Sequence, residues 1–124
     1  MHSAYLLIAH GSRDPQANQA FQDFLQRFRE AHPKREVEGA FLELAKPGIP
    51  EGIEKCIQGG ANEIFVMPLM LFPGRHVKED IPRLIQEAKA KYPDVDFHYA
   101  GPLSDQPAML SLLNEKAKTM KGRS

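Results

Sequence analysis

Four short apolar runs recur along the chain at fairly even spacing: Ala4 to Ala9, Val37 to Leu42, Ile64 to Leu71 and Val95 to Tyr99. Longer amphipathic stretches separate them. An order of strand then helix, repeated four times with short connections, predicts parallel strands joined by right-handed helical crossovers. Leu6-Leu7-Ile8 and Ile64-Phe65-Val66-Met67 are apolar on both faces, as strands covered by helices on each side must be, so these two runs are expected at the centre. VEGAFLE is more mixed and VDFHY alternates, which suits edge strands. The expected architecture is an α/β fold with a four-stranded parallel sheet in the order 2-1-3-4, a flavodoxin-like half with helices on both faces.

The helical stretches carry their own start and stop signals. Ala17, Ala20, Phe21, Phe24, Leu25, Phe28 and Ala31 fall at the three-and-four spacing of one helical face, and Asp14-Pro15 supplies a capping carboxylate followed by proline at the first position, predicting a helix over 15–31. Ile49, Ile53, Cys56 and Ile57 form a second face, closed by Gly59-Gly60. Val77, Ile81, Leu84, Ile85 and Ala88 form a third. Pro82 would break a helical hydrogen bond in its interior, so the regular part is expected from about Asp80, with Pro82 in the first turn. Met109, Leu112, Leu113, Ala117 and Met120 form the fourth, starting near Ser104 or Asp105. Pro68 cannot donate to a ladder, so the third strand should bend or end there and leave Leu69 to Gly74 irregular.

Composition narrows the class. A length of 124 residues is one domain's worth of sequence, so a single domain over 1–124 is expected. Sixteen basic residues balance sixteen acidic ones, with no basic stripe, which argues against nucleic acid as a partner. The longest nearly apolar run, Ile64 to Pro73, is about half of the roughly 20 residues that a membrane-spanning helix needs, so no membrane partner is expected. The lone Cys56 cannot form an internal disulfide and is expected to pack on the second helical face. The start MHSAYLLIAHGS has neither a basic leader nor a cleavage site, which reads as cytoplasmic.

Open α/β sheets bind ligands beyond the carboxyl ends of their strands, where successive connections leave in opposite directions; here that is between strands one and three. HGSRDP follows strand one, FPGRH follows strand three, and Glu43 ends strand two. His10, His76 and Glu43 should thus converge on one edge of the sheet. Two imidazoles and a carboxylate suit a divalent transition metal such as cobalt, nickel, iron or zinc, and imidazoles also accept protons near neutral pH. A histidine just after a buried strand is also, by itself, an ordinary polar residue at a sheet edge. Gly11-Ser12 before a helix can cradle an anion, though so short a motif reads more simply as a turn and cap. Arg13, Arg75 and Lys78 stand near the same rim, either to pair with ligand carboxylates or as solvated charges. His2, His32 and His98 draw no catalytic role. HGSRDP is neither a Walker loop nor a G-x-G-x-x-G turn, one cysteine excludes a dithiol redox site, and no G-x-S-x-G elbow is present.

With the His10-Gly11-Ser12-Arg13-Asp14-Pro15 turn, Phe41-Leu42-Glu43, and the segment from Pro68 through Phe72-Pro73-Gly74-Arg75-His76 to Pro82, the chain resembles the small sirohydrochlorin chelatases of the CbiX and SirB type, nearly throughout, to about residue 118. The resemblance implies a class II chelatase that inserts Co2+ or Fe2+, with Ni2+ a further option, into sirohydrochlorin for cobalamin or sirohaem synthesis, without nucleotide hydrolysis or a permanently bound cofactor. It implies His10 and His76 as catalytic residues and metal ligands, Glu43 as a further metal ligand, and Ser12, Arg13, Arg75 and Lys78 as contacts for the eight substrate carboxylates. The resemblance also implies a homodimer, since the short members of that type pair and this chain matches the short form. A non-catalytic carrier of metal or tetrapyrrole with the same fold is the alternative.

Overall fold

The computed structural model describes residues 2–121. Their order is β1 (Ser3–Ala9), α1 (Pro15–Ala31), β2 (Glu36–Phe41), α2 (Ile49–Gln58), β3 (Glu63–Pro68), α3 (Arg75–Lys91), β4 (Asp96–Tyr99), a single 3-10 turn (Leu103–Asp105) and α4 (Pro107–Lys121). The strands are all parallel in the order β2-β1-β3-β4. This is the order predicted from the two apolar central runs.

β1 is buried on both sides. Leu6 and Ile8 join Ile64 and Val66 against Ile53 and Cys56 of α2 and Ile81 and Ile85 of α3, while Leu7 joins Val37 and Phe41 against Phe21 and Leu25 of α1. Full burial of each such side chain contributes about 1.5–3 kcal/mol. Gly39 of β2 sits under α1: a Cβ there would lie 2.6 Å from a Leu25 methyl, so the helix can approach only because the residue is glycine. Cys56 is fully buried, and burial first, with Glu36 and Glu38 adding to it, pushes its thiol up to about 12.

The first helix begins as expected. The Asp14 carboxylate accepts from the Gln16 N–H at 2.9 Å, and Pro15 takes the first helical position. Gly60, at φ 102°, makes the left-handed turn after α2. β3 ends at Pro68, and the next N–H, that of Leu69, still donates to the Ile8 carbonyl at 2.7 Å.

Two helices differ from expectation. α3 starts at Arg75 rather than near Asp80, and Pro82 lies inside it. Its first turns hold because Val77 and Ile81 pack on the core and because Arg75–Glu79 and His76–Asp80 pair one turn apart, which outweighs the one hydrogen bond that Pro82 forfeits. α4 begins at Pro107, after the expected Ser104 or Asp105, and none of its side chains is buried. Leu110, Leu112, Leu113 and Met120 remain exposed. α1 covers the β2 side of its sheet face and α4 buries none of its own side chains; Phe65 and Met67 are only half-buried, although the sequence pattern predicts both faces of β3 to be covered. Among the described residues no helix is long and apolar enough to cross a membrane.

Candidate metal centre

The carboxyl edge of the sheet brings the chain exits together in the order Glu43, His10, then Met70 to Gly74. β1 and β2 stay zipped past their last paired residues: the Leu42 N–H donates to the Ala9 carbonyl at 2.9 Å, and the Glu43 N–H to the His10 carbonyl at 3.1 Å. Gly11 follows at φ 97°, and a Cβ on it would collide with the Glu43 carbonyl oxygen. Only glycine lets the two exits run this close.

The result is that His10 Nε2 stands 3.6 Å from Glu43 Oε2, both side chains about half-exposed. His10 Nδ1 lies 3.3 Å from the Gly11 carbonyl, which can only accept, so a proton on Nδ1 leaves the Nε2 lone pair facing the carboxylate. Two bonds of about 2.1 Å each span up to about 4.2 Å, so one cation can bridge Nε2 and Oε2 across that gap. Beside this pair is an open depression of about 280 Å3, lined by His10, Leu71, Phe72, Pro73 and Val77 among others.

His76 occupies the first turn of α3, flanked by Gly74 and Val77 of the same depression, rather than the loop before it. Its ring is 91% exposed and its Nε2 lies 3.3 Å from Asp80 Oδ2. His10 and Glu43 are thus brought together, whereas His76 pairs with Asp80, and among the described residues no three His, Cys, Asp or Glu side chains are grouped as a metal cluster. The sequence signal for Asp80 is its four-residue spacing from His76 in a helix.

Ser12 is engaged in the turn itself. Its N–H donates to Asn18 Oδ1 at 3.0 Å, the Asn18 amide donates back to its carbonyl at 2.8 Å, and its Oγ accepts from the Asp14 N–H at 3.0 Å. Asn18 carries no motif signal of its own in the sequence. Arg13 and Lys78 are exposed, and Arg75, also exposed, holds Glu79 at 3.0 Å. The three remaining histidines sit elsewhere: the His2 backbone N–H donates to Asn62 Oδ1 at 3.1 Å, His32 packs edge-on to Tyr5, and His98 stacks on Phe65 and lies 3.0 Å from Glu63.

A model of the CbiX family matches residues 4–120 of the chain. The sirohydrochlorin cobaltochelatase of Priestia megaterium is 38% identical over 112 residues, which is 90% of this chain and 36% of that protein. A CbiX protein from Marinobacter aquaeolei has a solved structure that superposes with a TM-score of 0.83 at 26% identity, covering 98% of this chain and 99% of that one. The sirohydrochlorin chelatase SirB of Bacillus subtilis subspecies spizizenii, solved in complex with cobalt, gives 0.75 at 40% identity over 82% of this chain and 44% of that one. The first four curated relatives are named sirohydrochlorin cobaltochelatase or ferrochelatase, and the chain spans 36% to 49% of their length. By its sheet order, its His10 turn and the match over residues 4–120, the chain belongs to the CbiX family.

Proposed function

We propose that this chain is a sirohydrochlorin chelatase, a cytoplasmic enzyme of one domain that inserts Co2+ or Fe2+, with Ni2+ a further option, into sirohydrochlorin. The observation that carries the proposal is the His10 Nε2 to Glu43 Oε2 separation of 3.6 Å at an open edge of the sheet. Metalation strips water from the cation and expels two pyrrole protons, so the site must supply both a ligand and a base. His10 and Glu43 hold the entering cation, and His76, oriented by Asp80, accepts a pyrrole proton or adds a third ligand once the substrate is seated. Both histidines are the catalytic pair. Ser12, Arg13, Arg75 and Lys78 take substrate carboxylates, Ser12 through its hydroxyl proton and the others through charge. The cation is a substrate, and no resident cofactor is needed. Because protons compete with cations for the same lone pairs, metal affinity should fall as pH is lowered.

A homodimer is the assembly this function favours. The apolar side of α4 is uncovered, and Tyr5, Phe65, Met67 and Tyr99 border an apolar depression of about 320 Å3 on the bare half of the sheet. Laying α4 of each copy on the half-sheet of the other covers both surfaces at once.

Mixing the protein anaerobically with sirohydrochlorin and Co2+ or Fe2+, and following the absorbance spectrum, tests the activity. Insertion faster than the protein-free control, with many turnovers per site, is expected. A spectral change that saturates at one ligand per site, without turnover, would replace the enzyme with a carrier.

A further inference from the structure

Apart from Tyr99 and the side of α4, every exposed large hydrophobic residue among those described lies at the carboxyl edge of the sheet: Leu44, Leu71, Phe72 and Leu103. Phe72 is 85% exposed. The sheet order places these residues around the metal pair, since Leu44 follows β2, His10 follows β1, Phe72 follows β3 and Leu103 follows β4. Leu44 is thus on one flank of His10 and Phe72 on the other. Leu44 is also held at φ 68°, a left-handed conformation in which glycine or asparagine is at home and a branched side chain is strained. Neither residue belongs to the two buried apolar clusters or packs against them. An exposed apolar rim beside convergent polar groups is the pattern of a ligand surface.

Resting on the chelatase reading above, we propose that Phe72 and Leu44 are the contacts for the flat apolar face of the tetrapyrrole, holding its plane over the His10–Glu43 pair. The ligand's chemistry divides as the site does. Its ring face is apolar and polarisable, suited to an aromatic side chain, while its carboxylates lie at the periphery, where Arg13, Arg75 and Lys78 stand. Phe72 lines the same depression as His10, so a ring stacked on it presents its central nitrogens toward the metal pair. The two residues set binding and tilt of the macrocycle and take no part in proton transfer.

Steady-state insertion of Co2+ into sirohydrochlorin by parent, Phe72→Ala, Phe72→Tyr and Leu44→Asn, with Co2+ binding to each protein alone measured by calorimetry, tests the proposal. Phe72→Ala should raise KM about tenfold and lower kcat much less, Phe72→Tyr should restore most of the loss, and Leu44→Asn should raise KM by a smaller factor while relieving backbone strain. Co2+ affinity should match the parent in both Phe72 variants, because the His10–Glu43 pair is untouched. An unchanged KM in Phe72→Ala, with the parent active, overturns the inference alone. The same holds if Phe72→Ala only weakens self-association in sedimentation and keeps its KM, which would make this rim an interface between copies. A parent that neither binds nor metallates sirohydrochlorin overturns the chelatase reading, and the inference with it.

Discussion

Gly11 decides whether His10 and Glu43 can meet. Its φ of 97° lies where L side chains are rarely found, and any Cβ would strike the Glu43 carbonyl oxygen. Gly11→Ala is therefore expected to lower stability by about 1–3 kcal/mol and to weaken Co2+ binding, because β2's exit must move away from β1's. Urea unfolding and calorimetry check this; an alanine variant with parental stability and affinity contradicts it. Cys56 makes a second prediction at this scale. With its folded thiol near 12 against 9.0 in its unperturbed state, the native protein should resist iodoacetamide at pH 8 and be alkylated fully in denaturant. The preference for the neutral thiol stabilises the fold below pH 9 and is lost as pH rises from there toward 12.

Glu63 ties three strands through one carboxylate. It accepts from Ser3 Oγ of β1 at 2.6 Å and lies 3.0 Å from His98 Nε2 of β4. The Ser3 hydrogen bond above all, with help from His98, holds its pKa below the usual 4.5. A depressed folded value stabilises above pH 4.5 and is lost as pH falls through that value. Ser3→Ala should thus melt lower than the parent at pH 7, with the gap closing toward pH 3; an equal gap at both pH values would show that Ser3 acts through packing alone. At the level of elements the sequence was legible where one physical signal dominated. Leu6-Leu7-Ile8 reads as a strand covered on both sides, and Asp14-Pro15 as the start of a helix, and both hold in the structure. The start of α3 is not legible locally, because the cost of Pro82 points to a later start and only the packing of Val77 and Ile81 on the core overrides it. The His10–Glu43 pair followed in outline from strand order, but its geometry depends on the Gly11 φ, and the pairing of His76 with Asp80 depends on helix beginning at Arg75. Neither backbone state is written in the identity of one residue.

Among the described residues, the apolar side chains of α4 stay exposed and Phe65 and Met67 on one sheet face are only half-buried. If α4 of each copy lies on the bare half-sheet of the other, Leu110→Lys together with Leu113→Lys should convert a dimer into a monomer in sedimentation, with the circular dichroism of β1 to α3 retained; a monomeric parent at micromolar concentration contradicts the dimer. The two-sided core around β1 does not involve α4, so the metal pair should survive this change. What the fold exists to do is then tested most directly by the initial rate of Co2+ insertion into sirohydrochlorin for parent, Glu43→Gln and His10→Ala, each with parental melting temperature. We predict that His10→Ala loses about a hundredfold or more, the scale of a positioned acid, base or ligand, and that Glu43→Gln loses less. Full activity in a folded His10→Ala protein would contradict the assignment of this edge as the site of metal insertion.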